Sequence, residues 1–358
     1  MQDRRKKSNP FIRMLTGIFL GANVCTILLM WLAVLSTCVS PASHPTLSLL
    51  GLFFPIFAAV DIAFVFFWLI FRSCLTWVPL LGLLLVAGYA MDYCPINTRQ
   101  YPSDSAICVL TYNMGGADDE TNRQDVVRYI KEKSADIVCL QEVWGNLMDK
   151  PEFQQMADSM GYHMLKGLGN CILTRFPVLG DTLHIGYPTR NNSSMACWIY
   201  CQADSLLLVN NHLESNALSD SDKTEYKNMI LDPEQERVEQ GSRLLLRKLR
   251  DAAHYRGAQT DTLCALIDCN EEKSILMCGD YNDTPISYTY QQLDRRLDCA
   301  YRKVGRGVGF TYRQSGIYVR IDHIFVSSDW QCIKCYVDDS ITASDHFPVI
   351  AYLQKKGQ

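Results

Sequence analysis

Eight side chains able to bind a cation or move a proton stand at the ends of apolar runs. Asn113 ends VLTYN, Glu142 ends IVCLQE, His212 ends LLVNNH, and Asp280 with Asn282 ends LMCGDYN. Asp322 lies within RIDHIF, and Asp345 with His346 opens SDHFPV. A strand in a rigid sheet can hold such a polar tip in a cleft. One Asn or Asp in such a place is an ordinary turn former, but six placements of one kind point to a shared site.

The chemistries are complementary. Hard cations such as Mg²⁺ take oxygen ligands and keep waters for exchange, which suits an Asn amide with one or two carboxylates. Cleaving a phosphate ester also needs a positioned water, charge spread over the phosphoryl oxygens and help for the leaving oxygen. Imidazoles oriented by carboxylates supply the last two. His44, His163, His184 and His254 have no strand-end acidic neighbour, and an extended backbone points His323 away from Asp322, so these five are read as structural. Trp144 and the loop Arg190-Asn191-Asn192 are candidates for the rim of a cleft.

In order along the chain, TYN at Asn113, LQE at Glu142, NHLES at His212, GDYNDTP at Asp280 and Asn282, RIDHIFVS at Asp322 and SDHFPV at Asp345 and His346 resemble one motif series. It is that of the endonuclease/exonuclease/phosphatase superfamily, which includes pancreatic deoxyribonuclease, abasic-site endonucleases, neutral sphingomyelinases and inositol polyphosphate phosphatases. The resemblance covers the chain after Ser103. It implies an α/β (α+β) fold, a four-layer α-β-β-α sandwich with the site at one end of two facing sheets, and dependence on Mg²⁺ or Mn²⁺.

The resemblance also implies roles. Glu142 is the principal metal ligand, with Asn113 beside it and Asp345 near enough to bind directly or through water. Asp280 and Asn282 position the attacking water and a phosphate oxygen. Asp322 orients His346 against the phosphate, and His212 faces the same phosphate near the leaving group. Abasic-site enzymes carry an Asp two residues after the first Asn. Here Gly115 and then Gly116 stand there, which disfavours DNA repair. The Trp-Thr-Asp-Arg flavour of the inositol phosphatases is absent around Asp322.

The elements that must position these groups are partly visible. Buried strands are expected at 107–112, 136–141, 171–174, 206–211, 274–279 and 321–326. One helix begins near Asn122 as its cap, with Val126, Val127 and Ile130 on one face. Another begins after Pro233 and stacks Val238, Leu245, Leu246 and Leu249. The polar stretch 214–232 reads as an exposed insertion. GRGVG at Gly305 to Gly309 lacks a Lys-Ser/Thr ending and reads as a mobile turn.

The first hundred residues are of another kind. Between Met14 and Met91 the only charged side chains are Asp61 and Arg72. A helical crossing needs about 20 apolar residues, and residues 15–39, 47–71 and the shorter 75–91 supply three candidate spans. The division expected is a membrane anchor over 1–94, a linker over 95–103 and a catalytic domain over 104–358. Asp61 is expected to face the other two spans. Arg4, Arg5, Lys6, Lys7 and Arg13 precede the first span, the first loop has no Lys or Arg, and Arg72 lies in the second loop. That pattern places the N-terminus inside and the catalytic domain on the extracytoplasmic side, provided the short third span crosses.

Of 15 cysteines, 11 follow residue 103, an odd number, and several sit in strand-like runs, as core residues do. Cys332 and Cys335 have zinc-ligand spacing without a second pair and are read as packing. The part after residue 103 carries 27 Lys plus Arg against 35 Asp plus Glu, whereas a tight duplex binder is basic. The sequence therefore points to a membrane-integral hydrolase of phosphate esters, acting on lipid headgroups or, alternatively, on nucleic acid. No protein partner is inferred.

Overall fold

A computed structural model describes residues 9–103, 105–115, 119–189, 192–231, 235–314 and 316–357. The apolar segment is mostly helical. Pro10 opens α1 (Pro10–Ser36), whose N-terminus is capped by the Asn9 side chain accepting from the Phe11 amide at 3.0 Å. After a short α2 (Pro45–Ser48) and a 3₁₀ turn (Leu49–Phe53) comes α3 (Phe54–Phe71). The chain returns through α4 (Trp77–Leu85) and α5 (Ala87–Tyr93).

Two helices, Pro10–Ser36 and Pro45–Phe71, are long and apolar enough to cross a membrane, at mean hydropathies of 2.3 and 2.4. The third candidate differs from a straight span: it bends by 63° between Ser73–Leu85 and Ala87–Tyr93. The bend aims Asp92 at Arg302 (2.6 Å) and at the Gln291 amide (2.8 Å), so polar partners from the later part of the chain draw the last two turns out of line. Asp61 does face the other helices. It accepts from Asn23 of α1 at 2.6 Å, Asn23 in turn accepts from Trp68 at 3.1 Å, and a Cβ on Gly82 of α4 would lie 3.0 Å from its second oxygen.

The remaining chain folds as two facing sheets. Its elements are β1 (Ile107–Asn113), α6 (Glu120–Lys133), β2 (Ile137–Val143), α7 (Pro151–Met160), β3 (His163–Lys166), β4 (Gly169–Thr174), β5 (Val178–Gly186), β6 (Ser193–Cys201) and β7 (Asp204–His212). There follow α8 (Asp220–Leu231), α9 (Gln235–Asp268), β8 (Ser274–Asp280), α10 (Tyr288–Asp294), β9 (Asp298–Cys299) and α11 (Ala300–Val304). The chain ends with β10 (Tyr312–Gln314), β11 (Ile317–Val319), β12 (Asp322–Val326), β13 (Trp330–Val337) and β14 (Val349–Lys355). One six-stranded sheet runs β13-β14-β1-β2-β4-β3, the other β5-β6-β7-β8-β12-β9, and β10-β11 form a hairpin.

The two-residue period of a strand separates the layers. On β1 and β2, Val109, Ile137 and Cys139 join the core between the sheets, while Leu110, Tyr112, Val138 and Leu140 pack with Val126 and Ile130 of α6 and Phe153 and Met156 of α7. Leu263 and Ile267 of α9, with Tyr290 and Leu293 of α10, pack against the second sheet. The expected α-β-β-α sandwich is therefore present, preceded by apolar helices.

Four local expectations are corrected. The cap of α6 is Asp119, which accepts from the Asn122 amide at 2.7 Å, so Asn122 lies one turn inside the helix. The stretch 214–232 is no bare insertion. It contains α8, opened by reciprocal bonds between Ser219 and Asp222, a capping box, and tied to α9 by Asp222–Lys248 at 2.5 Å. On α9 Leu245 and Leu249 face inward, whereas Leu246 is exposed. Pro233 and Asp232 lie outside the described residues, as do Arg4 to Lys7. The Gly305 turn is packed rather than loose: Gly309 abuts the Tyr301 ring and the Gly307 amide donates to Pro95 at 2.9 Å. Cys332 and Cys335 are buried in the core as expected.

The helical segment is locked to the sandwich. A Cβ on Gly51 would meet the Ile286 carbonyl at 2.0 Å, and one on Gly257 of α9 would lie 2.7 Å from the Ala42 amide nitrogen. Asn97 donates to the carbonyls of Arg302 and Gly305, both at 2.9 Å, so the segment 95–103 begins as a pinned strap.

Candidate active site

The sheet period that builds the core also builds the site. On β1, Asn113 follows Val109 and Thr111 onto the face turned towards the second sheet, where its amide meets Asp280 at 2.9 Å. His212 and Asp280 are register partners on the parallel pair β7–β8, and Asp280 and Asp322 on the antiparallel pair β8–β12, so one row crosses three strands on one face. Glu142 has the opposite parity and would point outward. A bulge between Gln141 and Val143, with Glu142 in the left-handed region at φ 57°, turns it back to Asn113, which donates to it at 3.1 Å.

Close backbone approach is required behind this row. Gly279 takes φ 141° and a Cβ there would lie 2.0 Å from the Asn211 carbonyl oxygen, so a residue with a side chain cannot hold β8 this near β7. The loop of Asp345 is fastened to β1 by the Ser344 hydroxyl, which donates to the Asn113 carbonyl at 2.9 Å.

Glu142, Asp280, Asn282, Asp345 and His346 all line one cleft of about 880 Å³. Asn113, His212 and Asp322 stand immediately behind it and are buried. All eight expected residues are thus brought together. Asn282, at φ 51°, donates its backbone amide to Asp280 at 2.8 Å and a side-chain N–H to the Leu213 carbonyl at 3.0 Å.

The tightest cluster is Asp280, Asp322 and His346, whose ligand atoms lie within 4.8 Å of one another. His346 Nδ1 is 2.9 Å from Asp322 and Nε2 is 3.8 Å from Asp280. Burial works against its charge, but the carboxylates of Asp322 and Asp280 outweigh that and push its pKa up to about 10. An imidazolium has no lone pair for a metal, and His346 can instead donate from Nε2 to an acceptor in the cleft. Burial, with Asp322 adding to it, pushes Asp280 up to about 7, against the opposing pull of His346 and Asn113. His212 is held below its ordinary value by burial, opposed by Glu142 at 3.6 Å. Neither of its ring nitrogens finds a hydrogen-bond partner among the described residues.

The donor set on the other side fits a hard cation. Glu142 and Asp345 present carboxylates to the cleft, and the Asn113 amide oxygen accepts one bond, from Gly115 at 3.0 Å, leaving a lone pair. These are oxygen donors, few in number, with the two carboxylates partly exposed and Asn113 buried behind them, a set that suits Mg²⁺ or Mn²⁺.

Sequence reasoning missed the layer beneath. Gln141 donates to Asn210 at 2.7 Å, Asn210 donates to the carbonyls of Leu140 and Cys171 at 2.9 Å each, and Asn211 accepts from Ser194 at 2.7 Å. Gln141 and Asn210 bridge the two sheets below the catalytic row, whereas Asn211 bonds within the second sheet to Ser194 and to the Tyr281 hydroxyl; their signal was present in the polar runs Gln141-Glu142 and Asn210-Asn211-His212. Also missed was Arg256 of α9, which lines the cleft, lies 3.5 Å from Asp283 and donates to the Glu214 carbonyl at 2.8 Å. Trp144 is partly exposed, its ring 6.5 Å from that of His212. Arg190, Asn191 and Gly116 lie outside the described residues. His323 turns away from Asp322 as expected, towards Tyr281, Tyr290 and the Asp283 carbonyl.

Residues 110–346 match the model of the Endonuclease/Exonuclease/phosphatase family, and residues 16–93 match a domain of unknown function. No curated protein matches the chain. The fold is shared with the human Nocturnin catalytic domain with bound sulfate anion, at 16% identity and a TM-score of 0.53 over 73% of this chain and 97% of that one. Humanized D. rerio TDP2 aligns at 16% identity and a TM-score of 0.52, covering 70% of this chain and all (100%) of that one. ANGEL2, a 2',3'-cyclic phosphatase in complex with adenosine-2',3'-vanadate, aligns at 16% identity and a TM-score of 0.50, over 72% and 99%. Because the family model spans the strands and loops that carry the clustered residues, the chain belongs to the endonuclease/exonuclease/phosphatase family.

Proposed function

We propose that the protein is a Mg²⁺- or Mn²⁺-dependent hydrolase of phosphate esters, held in a membrane by its apolar helices and acting on lipid headgroups. The single observation that carries this reading is that an oxygen donor set (Asn113, Glu142, Asp345) and an imidazole clamped by two carboxylates (Asp322, His346, Asp280) meet in one cleft.

A cation held by Glu142, Asn113 and Asp345 would polarise the phosphoryl oxygens and offset charge that builds there. The chain's own groups do the rest. Asp280 and Asn282 hold a water in line with phosphorus. As the new P–O bond forms, the water's proton passes to Asp280 and the old P–O bond breaks. The leaving oxygen takes a proton from a solvent water on the side backed by His212, and Asp280 returns its proton to solvent. His346, fixed by Asp322, donates to a phosphoryl oxygen as an imidazolium. The products are an alcohol and a phosphate with one ester bond fewer.

The side of the membrane also belongs to this reading. Because Gly51 abuts Ile286, the turn after the first helix and the sandwich share one end of the bundle. Arg13 and Arg72 mark the opposite end, and Lys and Arg are retained in the cytoplasm. This supports an extracytoplasmic catalytic domain, with divisions near 1–94, 95–103 and 104–358.

Nucleic acid is the second reading. D. rerio TDP2 of the same fold is known in complex with a single-strand DNA product, but the acidic balance after residue 103 weighs against phosphate-driven binding. The test is the full chain in detergent with Mg²⁺ or Mn²⁺, offered bis-p-nitrophenyl phosphate, anionic phospholipid vesicles, plasmid DNA and RNA in parallel. Turnover of the diester and of lipid supports the first reading. Turnover of nucleic acid in place of lipid supports the second, and no turnover of any of them overturns both.

A further inference from the structure

Leu49 and Leu52, on the turn between the first two apolar helices, line the same cleft as Glu142, Asp280 and His346. They are not carried there on a loose arm. Gly51 between them abuts the Ile286 carbonyl, and Phe54, Met30 and Val34 pack with Ile286 in one buried cluster. The wall supplied by α9 at the cleft is also apolar, with Leu245, Leu249 and Ala253. The charges nearby are already compensated, Asp222 by Lys248 at 2.5 Å and Arg256 by Asp283 at 3.5 Å.

The cleft is therefore polar at its catalytic end and carries an apolar stretch of Leu49, Leu52, Leu245 and Leu249 beside polar residues such as Tyr226 and Arg256, and part of that stretch comes from the anchor. Phe53 at the end of this turn and Ile56 just beyond it are exposed on the apolar stretch long enough to cross a bilayer. A small hydrophilic phosphoester would fill the polar end and leave the leucines wet, whereas an amphiphile would cover both.

We infer that the 44–53 turn is a specificity-determining part of the substrate site, and that this site takes phosphoesters carrying an aliphatic chain, admitted from the lipid side along Leu49, Leu52 and the α9 leucines. This rests on the phosphoesterase reading above. It makes the anchor a component of the site rather than a tether.

The test uses the full chain in nonionic micelles with Mg²⁺ or Mn²⁺ and two probes with one leaving group, p-nitrophenyl methyl phosphate and p-nitrophenyl hexadecyl phosphate. The expected kcat/KM for the hexadecyl diester exceeds that for the methyl diester by roughly tenfold or more, as contacts along an apolar pocket allow. Leu52→Asn and Leu249→Asn each bring that ratio down about tenfold, while Leu52→Met, which keeps the surface apolar, retains it. A wild-type ratio near one overturns the inference, as does a ratio that survives both Asn variants or falls as far in Leu52→Met as in Leu52→Asn. If neither diester is cleaved, the phosphoesterase reading itself has failed. If the methyl diester is cleaved without chain preference, only the role of the turn is lost.

Discussion

Asp322 stands directly opposite Asp280 in the β8–β12 ladder, and both carboxylates are about 1% exposed. Two buried acids side by side are costly unless a cation lies between them. His346 supplies it, with Nδ1 2.9 Å from Asp322 and Nε2 3.8 Å from Asp280. The pair thus fixes both the charge and the orientation of one imidazole, and Asp322 does so without lining the cleft.

Replacing Asp322 by Asn should therefore act through His346. The amide keeps the shape but no longer holds the imidazolium, and kcat is expected to fall by about 10²–10⁴ with KM within a few-fold of wild type. Steady-state hydrolysis of bis-p-nitrophenyl phosphate measures both constants. A variant that keeps most of its kcat would remove Asp322 from the account.

Gly279→Ala should damage the fold and the site together. Its Cβ would meet the Asn211 carbonyl oxygen at 2.0 Å in a backbone at φ 141°, forcing apart the strands that bear His212 and Asp280. The expected loss is about 3 kcal/mol or more. Gly186→Ala, in β5 with open space around the new methyl, should cost under about 1 kcal/mol. Thermal or denaturant unfolding compares the two, and equal losses would mean that the β7–β8 approach is not under such constraint.

The sequence was most legible where a buried strand runs into a polar tip, because burial on both faces leaves an unbroken apolar run before the site residue. β1, β2, β7 and β8 are of this kind and lead to Asn113, Glu142, His212, Asp280 and Asn282, whereas Asp322 opens β12 and Asp345 with His346 stand on the loop before β14. β5 was not legible: it is an edge strand, largely exposed, with a register shift between Leu179 and Leu183 that breaks any alternation. α8 was hidden because only its Ser219–Asp222 capping box, not an apolar stripe, marks it. The bend at Val86 was invisible in hydropathy since its cause is tertiary, the pull of Arg302 and Gln291 on Asp92. Nor could a local pattern show that Leu49 and Leu52 reach the catalytic cleft, nearly a hundred residues from Glu142 in the chain.

Acid stability should depend on Asp338. Burial opposes its ionisation, yet Lys133 at 2.5 Å, the Ser340 amide at 3.1 Å and the Tyr129 hydroxyl at 3.0 Å together hold its pKa below the ordinary value. A carboxyl depressed on folding stabilises above its unfolded pKa, about 3.9, and that contribution is lost as pH falls through the folded value. Unfolding free energy at pH 7 should drop by about 1–3 kcal/mol in Asp338→Asn, with a smaller gap from wild type below about pH 3. A gap that stays constant across that range would contradict the assignment.

Membrane orientation can be read from two exposed cysteines. Cys269 follows α9 in the sandwich and Cys74 lies in the turn after α3, at the far end of the bundle. A membrane-impermeant maleimide applied to intact cells should modify Cys269 and spare Cys74, with Cys269→Ser as the control. The reverse labelling would place the catalytic part in the cytoplasm.

The most direct test of the central claim is Mn²⁺ binding to the full chain, followed by calorimetry alongside hydrolysis of bis-p-nitrophenyl phosphate, in wild type and Glu142→Gln. Saturable binding weakened about tenfold or more in the variant, with hydrolysis lost both there and in chelated wild type, is the result expected of a cation seated by Glu142, Asn113 and Asp345. Undiminished hydrolysis by chelated enzyme, or a Glu142→Gln protein that binds Mn²⁺ and turns over like wild type, would contradict it.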